Sequence, residues 1–336
     1  MPMIEPGRTN IIPRTLLILC IALFVLRAGA VFYGTYFHKG PDKLITWRQP
    51  KPLDRSRRDL LSKPTLYFFF EDDNPLQRVT AEVFESMLFH NREVAQLVND
   101  EFVPIKVPVT SNNAEPAKSL STALGVFSYP SIYVTLSNGK KVHRTSWQSD
   151  RMFQAFLKDA LISSLSKAGK EAMEHADWTL ASEAYEKTSN VKVHSPFFNK
   201  FDAINWAVAL EHLNKTAKAK EVLEKESKTR RLPEFIAGKD GWPQPCIDYM
   251  LGKISAEKLN TKDPVDKHDY KAPMIHWVIG EKLLLEGNKE DAIKELRLSS
   301  AASKSSFVPA AKYARAQLRQ LGEKVEEEKE EEDYSY

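Results

Sequence analysis

Residue types able to do covalent or metal chemistry are few in this sequence, and their spacing argues against both. Its two cysteines, Cys20 and Cys246, form no C-x-x-C pair, and with eight scattered histidines they build no metal-site spacing. The nearest approach to an acid/base constellation is Glu71-Asp72-Asp73, which follows the apolar run Leu66–Phe70. Carboxylates at the carboxyl end of a strand can act as an acid/base pair or hold a hard cation. The same three residues suit the start of a helix, where the dipole favours negative charge, and the residues favour that reading. No catalytic residue, metal or cofactor is expected.

The chain has 336 residues, 42% apolar and 28% charged, enough for two domains plus tails and too apolar for wholesale disorder. A net charge of +3 gives no argument for nucleic acid. From Glu323 to Asp333 eight acidic residues and two lysines make a net −6, which leaves the remainder at +9. Residues 322–336 are therefore expected to be a solvated acidic tail.

Residues 1–14 precede an uncharged run, Thr15–Leu26, that spans roughly 18 Å as a helix, short of the ~30 Å hydrocarbon core. Reading on through Arg27 to Phe37 gives roughly 34 Å, with Tyr33, Tyr36 and Phe37 placed as an interfacial belt. Residues 15–37 are expected to be a single transmembrane helix that leaves the rest of the chain outside the cytoplasm. That implies a cell inner membrane with the C-terminal bulk in the periplasm or another extracytoplasmic space. A cleaved signal peptide ending near Ala28-Gly29-Ala30 is the alternative. Residues 38–63 carry Pro41, Pro50 and Pro52 among basic residues and read as an extended linker.

From 64 to 165 the pattern is strand (Leu66–Phe70), helix (76–98, with a second start at Asn91), strand (Phe102–Val107) and helix (about 115–123). A third strand (Ser131–Thr135), a turn at Ser137-Asn138-Gly139, a fourth strand (Lys141–Thr145) and a helix (Asp150–Leu165) complete it. On the first helix Val79, Val83, Met87 and Leu88 are expected to face inward. Two stretches carry a resemblance. Phe89-x-Asn91-x-Glu93-Val94-Ala95-x-Leu97 with Phe102-Val-Pro-Ile-Lys106-Val107, and Gly125-Val126-x-x-Tyr129-Pro130, are similar to segments of the thioredoxin-like family. The resemblance implies a cis proline at Pro130 facing the family's active site. It also places the family's redox pair, eight residues before Phe89, on Arg78-Val79-Thr80-Ala81. None of these is a thiol, so dithiol exchange is excluded. What the family comparison leaves is a candidate peptide groove at Tyr129, Pro130, Arg78 and Ala81.

Beyond residue 165 the strand signals vanish. Gly169, Ala172, Ala176-Asp177-Trp178, Ala181 and Tyr185 form one spacing set. Ala207, Leu210, Asn214, Ala219 and Leu223 form a second, and Gly280, Leu283, Gly287-Asn288, Ala292 and Leu296 a third. Small residues let antiparallel helices approach, and large ones fill the gaps. The spacing resembles the tetratricopeptide repeat. Gly241-Trp242-Pro243 through Ser255, with the third set and a helix at 310–321, resembles the C-terminal half of bacterial periplasmic tetratricopeptide lipoproteins. Residues 166–321 are thus expected to form an all-α hairpin domain with a groove for a protein or peptide. Trp206, Trp242 and Trp277 read as core residues, Cys246 as a buried thiol, and Asn214-Lys215-Thr216 fits a glycosylation sequon.

The functional expectation is a membrane-tethered protein-binding adaptor with a redox-inactive thioredoxin-like domain. The alternative is a chaperone-like holdase or a non-redox accessory factor in protein folding or disulfide metabolism. Oligomeric state is not legible.

Overall fold

The computed structural model describes residues 44–53, 59–73, 75–110, 116–145, 150–191, 200–229, 241–260, 271–301 and 309–325. The expected membrane span at 15–37 and most of the acidic tail lie outside these residues. Among the described residues no helix is long and apolar enough to cross a membrane. The chain forms two compact units. The first holds residues up to 53, 65–134 and 143–157; the second holds 54–64, 135–142 and 158–336.

The α/β unit is built on β1 (Thr65–Glu71), β2 (Val103–Val109), β3 (Ser131–Thr135) and β4 (Lys141–Thr145), in the sheet order β2-β1-β3-β4. β1 and β2 are parallel, with Thr65 opposite Val103 and Glu71 opposite Val109. Parallel neighbours need a crossover, supplied by α1 (Pro75–Phe89) and α2 (Arg92–Glu101). Their break falls at Asn91, whose side chain accepts the Glu93 N–H at 2.8 Å and caps α2. Alternate residues of β1 serve opposite faces. Tyr67 and Phe69 pack with Leu120 and Leu124, on and just after α3 (Ala117–Ala123), while Phe68 stacks on Phe84 of α1.

Two sequence expectations need correction here. The inward face of α1 is Ala81, Phe84, Leu88 and Phe89; Val83 and Met87 are half-buried and Val79 is 47% exposed. Both stripes have helical spacing, and the one bearing the two phenylalanines buries more apolar area. The helix expected over 150–165, α4, runs from Asp150 to Glu174, because neither proline nor a left-handed turn intervenes until Ala176. Within its first turns Phe153 and Leu157 are buried while Met152 is 61% exposed.

Residues 44–53 lie inside the stretch read as a linker, and they pack on the α/β unit. Arg48 bridges to Ile105 beside β2, Ile45 is buried, and the Trp47 ring meets Phe89 edge-on at 5.2 Å.

The helical unit continues from α4 with α5 (Trp178–Asn190), α6 (Lys200–His212), α7 (Thr216–Lys228), α8 (Gln244–Met250) and α9 (Ala256–Asn260). It ends with α10 (Lys271–Leu285), α11 (Lys289–Ser300) and α12 (Ala310–Gln320). One apolar cluster joins most of them and includes Tyr185, Trp206, Trp242, Cys246, Trp277, Tyr313 and Leu318. Leu60 packs in this unit on Ala168 and Ala184.

Three hairpins, α4/α5, α6/α7 and α10/α11, share one turn geometry. Each has a single left-handed residue: Ala176 (φ 52°), Asn214 (φ 58°) and Gly287 (φ 84°). The next N–H then reaches back to a carbonyl of the preceding helix. Asp177 bonds Ala172 at 2.9 Å, Lys215 bonds Leu210 at 2.8 Å, and Asn288 bonds Leu283 at 2.9 Å. Asp177 and Asn288 also cap the second helix, accepting from the N–H groups of Leu180 and Asp291, whereas Lys215 offers no side-chain cap. Alanine is strained at positive φ, and lysine cannot accept from the helix. Ala176→Gly combined with Lys215→Asp is therefore expected to raise stability by about 1–2 kcal/mol, read as a higher urea midpoint.

The hairpins also share a crossing. A Cβ placed on Gly169 would meet the Tyr185 ring at 2.7 Å, and one on Gly280 would meet Leu296 Cγ at 2.8 Å. Ala181, Ala219 and Ala292, at the same offset in the three hairpins, are fully buried.

Candidate functional site

Arg78 and Ala81, the outer positions of the segment where the family comparison puts a dithiol, line one cavity of the α/β unit. Its other lining residues are Phe70, Asp72, Glu82, Glu85 and Lys106, and its volume is about 290 Å³. β1 brings Phe70 and Asp72 to its carboxyl end, β2 brings Lys106, and the solvent-facing side of α1 brings Arg78, Glu82 and Glu85.

The walls are ion pairs. Arg78 donates from Nε to Asp72 Oδ1 at 2.6 Å and from Nη2 to the Asp72 carbonyl at 3.1 Å. Lys106 Nζ donates to Glu85 Oε2 at 2.5 Å and stands 5.2 Å from the Phe70 ring centroid. The other oxygen of Glu85 accepts the Trp47 indole N–H at 2.8 Å. Asp72, singled out in sequence as part of a carboxylate cluster, is thus a partner for Arg78.

Tyr129 and Pro130 are not among the residues that line this cavity. The Tyr129–Pro130 peptide bond is cis, but Tyr129 turns to Ser121 Oγ at 3.0 Å and packs with the Tyr67 and Phe69 cluster. Those side chains leave β1 on the face opposite Phe70. Glu82, Glu85 and Trp47 were not singled out in the sequence, and nothing in their spacing marks them. Lys106 was noticed only as part of a family motif.

In the helical unit Gly169 lies against Tyr185 at the first crossing, with Ala181 buried one turn before Tyr185, and Gly280 lies against Leu296 and the Ala292 carbonyl at the third, with Gly287 in its turn. Trp178 stacks face to face on His212 at 4.1 Å. His212 Nε2 lies 2.7 Å from Glu281 Oε2, and the other Glu281 oxygen accepts the Trp277 indole N–H at 3.1 Å. Cys246 is fully buried, and burial pushes its thiol up, away from the thiolate that nucleophilic chemistry needs.

Asp202 is also buried. Its carboxylate accepts from Ser166 Oγ at 2.8 Å and has Lys170 Nζ at 3.5 Å. Desolvation outweighs both and raises the Asp202 pKa; burial raises that of Glu174 as well. A carboxyl that holds its proton more tightly when folded stabilises the fold at low pH. That contribution is lost as pH rises through the folded value. Urea midpoints of the full chain are expected to fall as pH rises from the ordinary carboxylate range through the raised folded values, and Asp202→Asn to flatten the slope.

No protein-family model matches the chain, and no curated protein matches it. Among solved structures it is similar to a DsbH oxidoreductase at 15% identity, over 35% of this chain and 84% of that one, with a TM-score of 0.29. A four-stranded α/β unit followed by a helical region is consistent with a thioredoxin-like fold joined to helices.

Proposed function

We propose that the protein is a membrane-tethered extracytoplasmic adaptor that binds protein partners without thiol chemistry. The observation that carries this reading is the threefold recurrence of one hairpin design. A small residue precedes a large one by sixteen positions, with a left-handed turn residue between, at 169/176/185, 207/214/223 and 280/287/296, and the small residue lies against the large one at 169/185 and 280/296. That design is the packing logic of tetratricopeptide arrays, whose role is to present helical surface to other chains. The residues at the position of a redox pair, Arg78 and Ala81, support a binding role for the α/β unit over an oxidoreductase role.

The test is crosslinking of the full-length, membrane-embedded protein followed by mass spectrometry. A reproducible set of proteins enriched over an unrelated membrane protein is expected, and recovery of none overturns the reading. Retention in the membrane pellet after alkaline carbonate extraction tests the tether at 15–37; release would remove that part of the proposal.

The exposure of Leu76 (73%) and Val79 on one helical face favours a second reading, a holdase for unfolded chains. Suppression of aggregation of a denatured client at stoichiometric ratio would support it, and no suppression would exclude it.

A further inference from the structure

We propose that the cavity between α1 and the β1–β2 edge receives a basic side chain, lysine or arginine, from an extended partner segment with apolar residues two positions to either side, on the same face as the guest. This rests on the protein-binding reading above and states what the surface selects. At about 290 Å³ the cavity is at the small end for ligand pockets, the scale of one long side chain.

Its charge is unbalanced. Three carboxylates, Asp72, Glu82 and Glu85, stand against two cations, Arg78 and Lys106. Both cations are already paired, Arg78 with Asp72 and Lys106 with Glu85, and the second Glu85 oxygen is taken by Trp47. Among the described residues no hydrogen bond or ion pair reaches the Glu82 carboxylate. An entering ammonium or guanidinium gains that carboxylate without breaking a pair, whereas an entering carboxylate has to displace Asp72 or Glu85 from its partner. Phe70 and Ala81 supply apolar wall for the methylene stem of the guest. Leu76 and Val79 stand exposed one turn earlier on α1, at i and i+3, where the apolar residue two positions from the guest would cover them.

The experiment is fluorescence anisotropy on the full-length protein in detergent micelles, with a labelled Gly-Leu-Ser-Arg-Ser-Leu-Gly peptide and its glutamate counterpart. The arginine peptide is expected to bind at least about tenfold more tightly. Glu82→Gln is expected to weaken it about threefold, as befits an exposed ion pair. Glu82→Lys, at an exposed position that the fold does not use, is expected to reverse the preference. Leu76→Ser with Val79→Ser is expected to weaken both peptides alike. Equal affinity for the two peptides, binding of neither, or an unchanged preference in Glu82→Lys overturns the proposal. Loss of arginine preference with crosslinked partners intact sinks this inference alone. Arginine preference with no partners recovered sinks the adaptor reading instead.

Discussion

Substituting His212 by alanine is expected to cost the helical unit about 3 kcal/mol or more, the largest effect of any single polar change in it. Glu281 is 1% exposed, and its two oxygens are held by His212 at 2.7 Å and by the Trp277 indole at 3.1 Å. With the imidazole gone, one carboxylate oxygen faces apolar surroundings without a donor, and the penalty is desolvation rather than a lost contact. Trp178 loses its stacking partner in the same step. The diagnostic is the double variant: His212→Ala with Glu281→Gln should recover more than half of the loss, because a neutral amide is cheaper to bury. Urea denaturation followed by circular dichroism reads both. A double variant no more stable than His212→Ala would show that packing, not the buried carboxylate, sets the cost.

Gly169→Val is expected to destabilise the same unit by about 3 kcal/mol. Any side chain at 169 begins within 3.0 Å of three atoms of the Tyr185 ring, which is fully buried and held by a hydrogen bond from Asn205 at 3.1 Å. The ring cannot swing aside, so the helices must part. The gain in helix propensity over glycine, at most about 1 kcal/mol, does not offset this. Tyr185→Leu should partly rescue Gly169→Val, with a coupling of about 1 kcal/mol. Additive losses would mean that the two residues do not share a crossing.

Much of the fold was legible because its signals are local. The strand Ser131–Thr135, the helix from Ala310 and the cap at Asn91 depend on a short β-branched and aromatic run, helical periodicity and a side chain two residues from its target. The three glycine and alanine crossings were legible for a different reason, since a helical hairpin repeats its contacts at fixed offsets. Where competing patterns coexist, sequence misleads: α1 offers two apolar stripes, and which one turns inward is decided by the sheet it lands on. The cavity shows the limit most clearly. Arg78 and Ala81 were placed by counting from Phe89, but Glu85, Lys106 and Trp47 come from three separate segments, and only tertiary pairing gathers them. Tyr129 shows the reverse: assigned to a groove by family likeness, it packs with the Tyr67 and Phe69 cluster and bonds Ser121.

Trp47 has one more consequence. A leash of 26 residues, 38–63, could let a domain roam roughly 90 Å from its anchor. With Ile45 buried and Trp47 bonded to Glu85, the α/β unit seizes that leash near its start. Under the proposed anchoring at 15–37, six residues, 38–43, separate the membrane span from the first docked residue, and they reach about 20 Å at most. The cavity that shares Glu85 with Trp47 would then work close to the bilayer surface, sampling chains that pass along the membrane rather than those free in the space beyond.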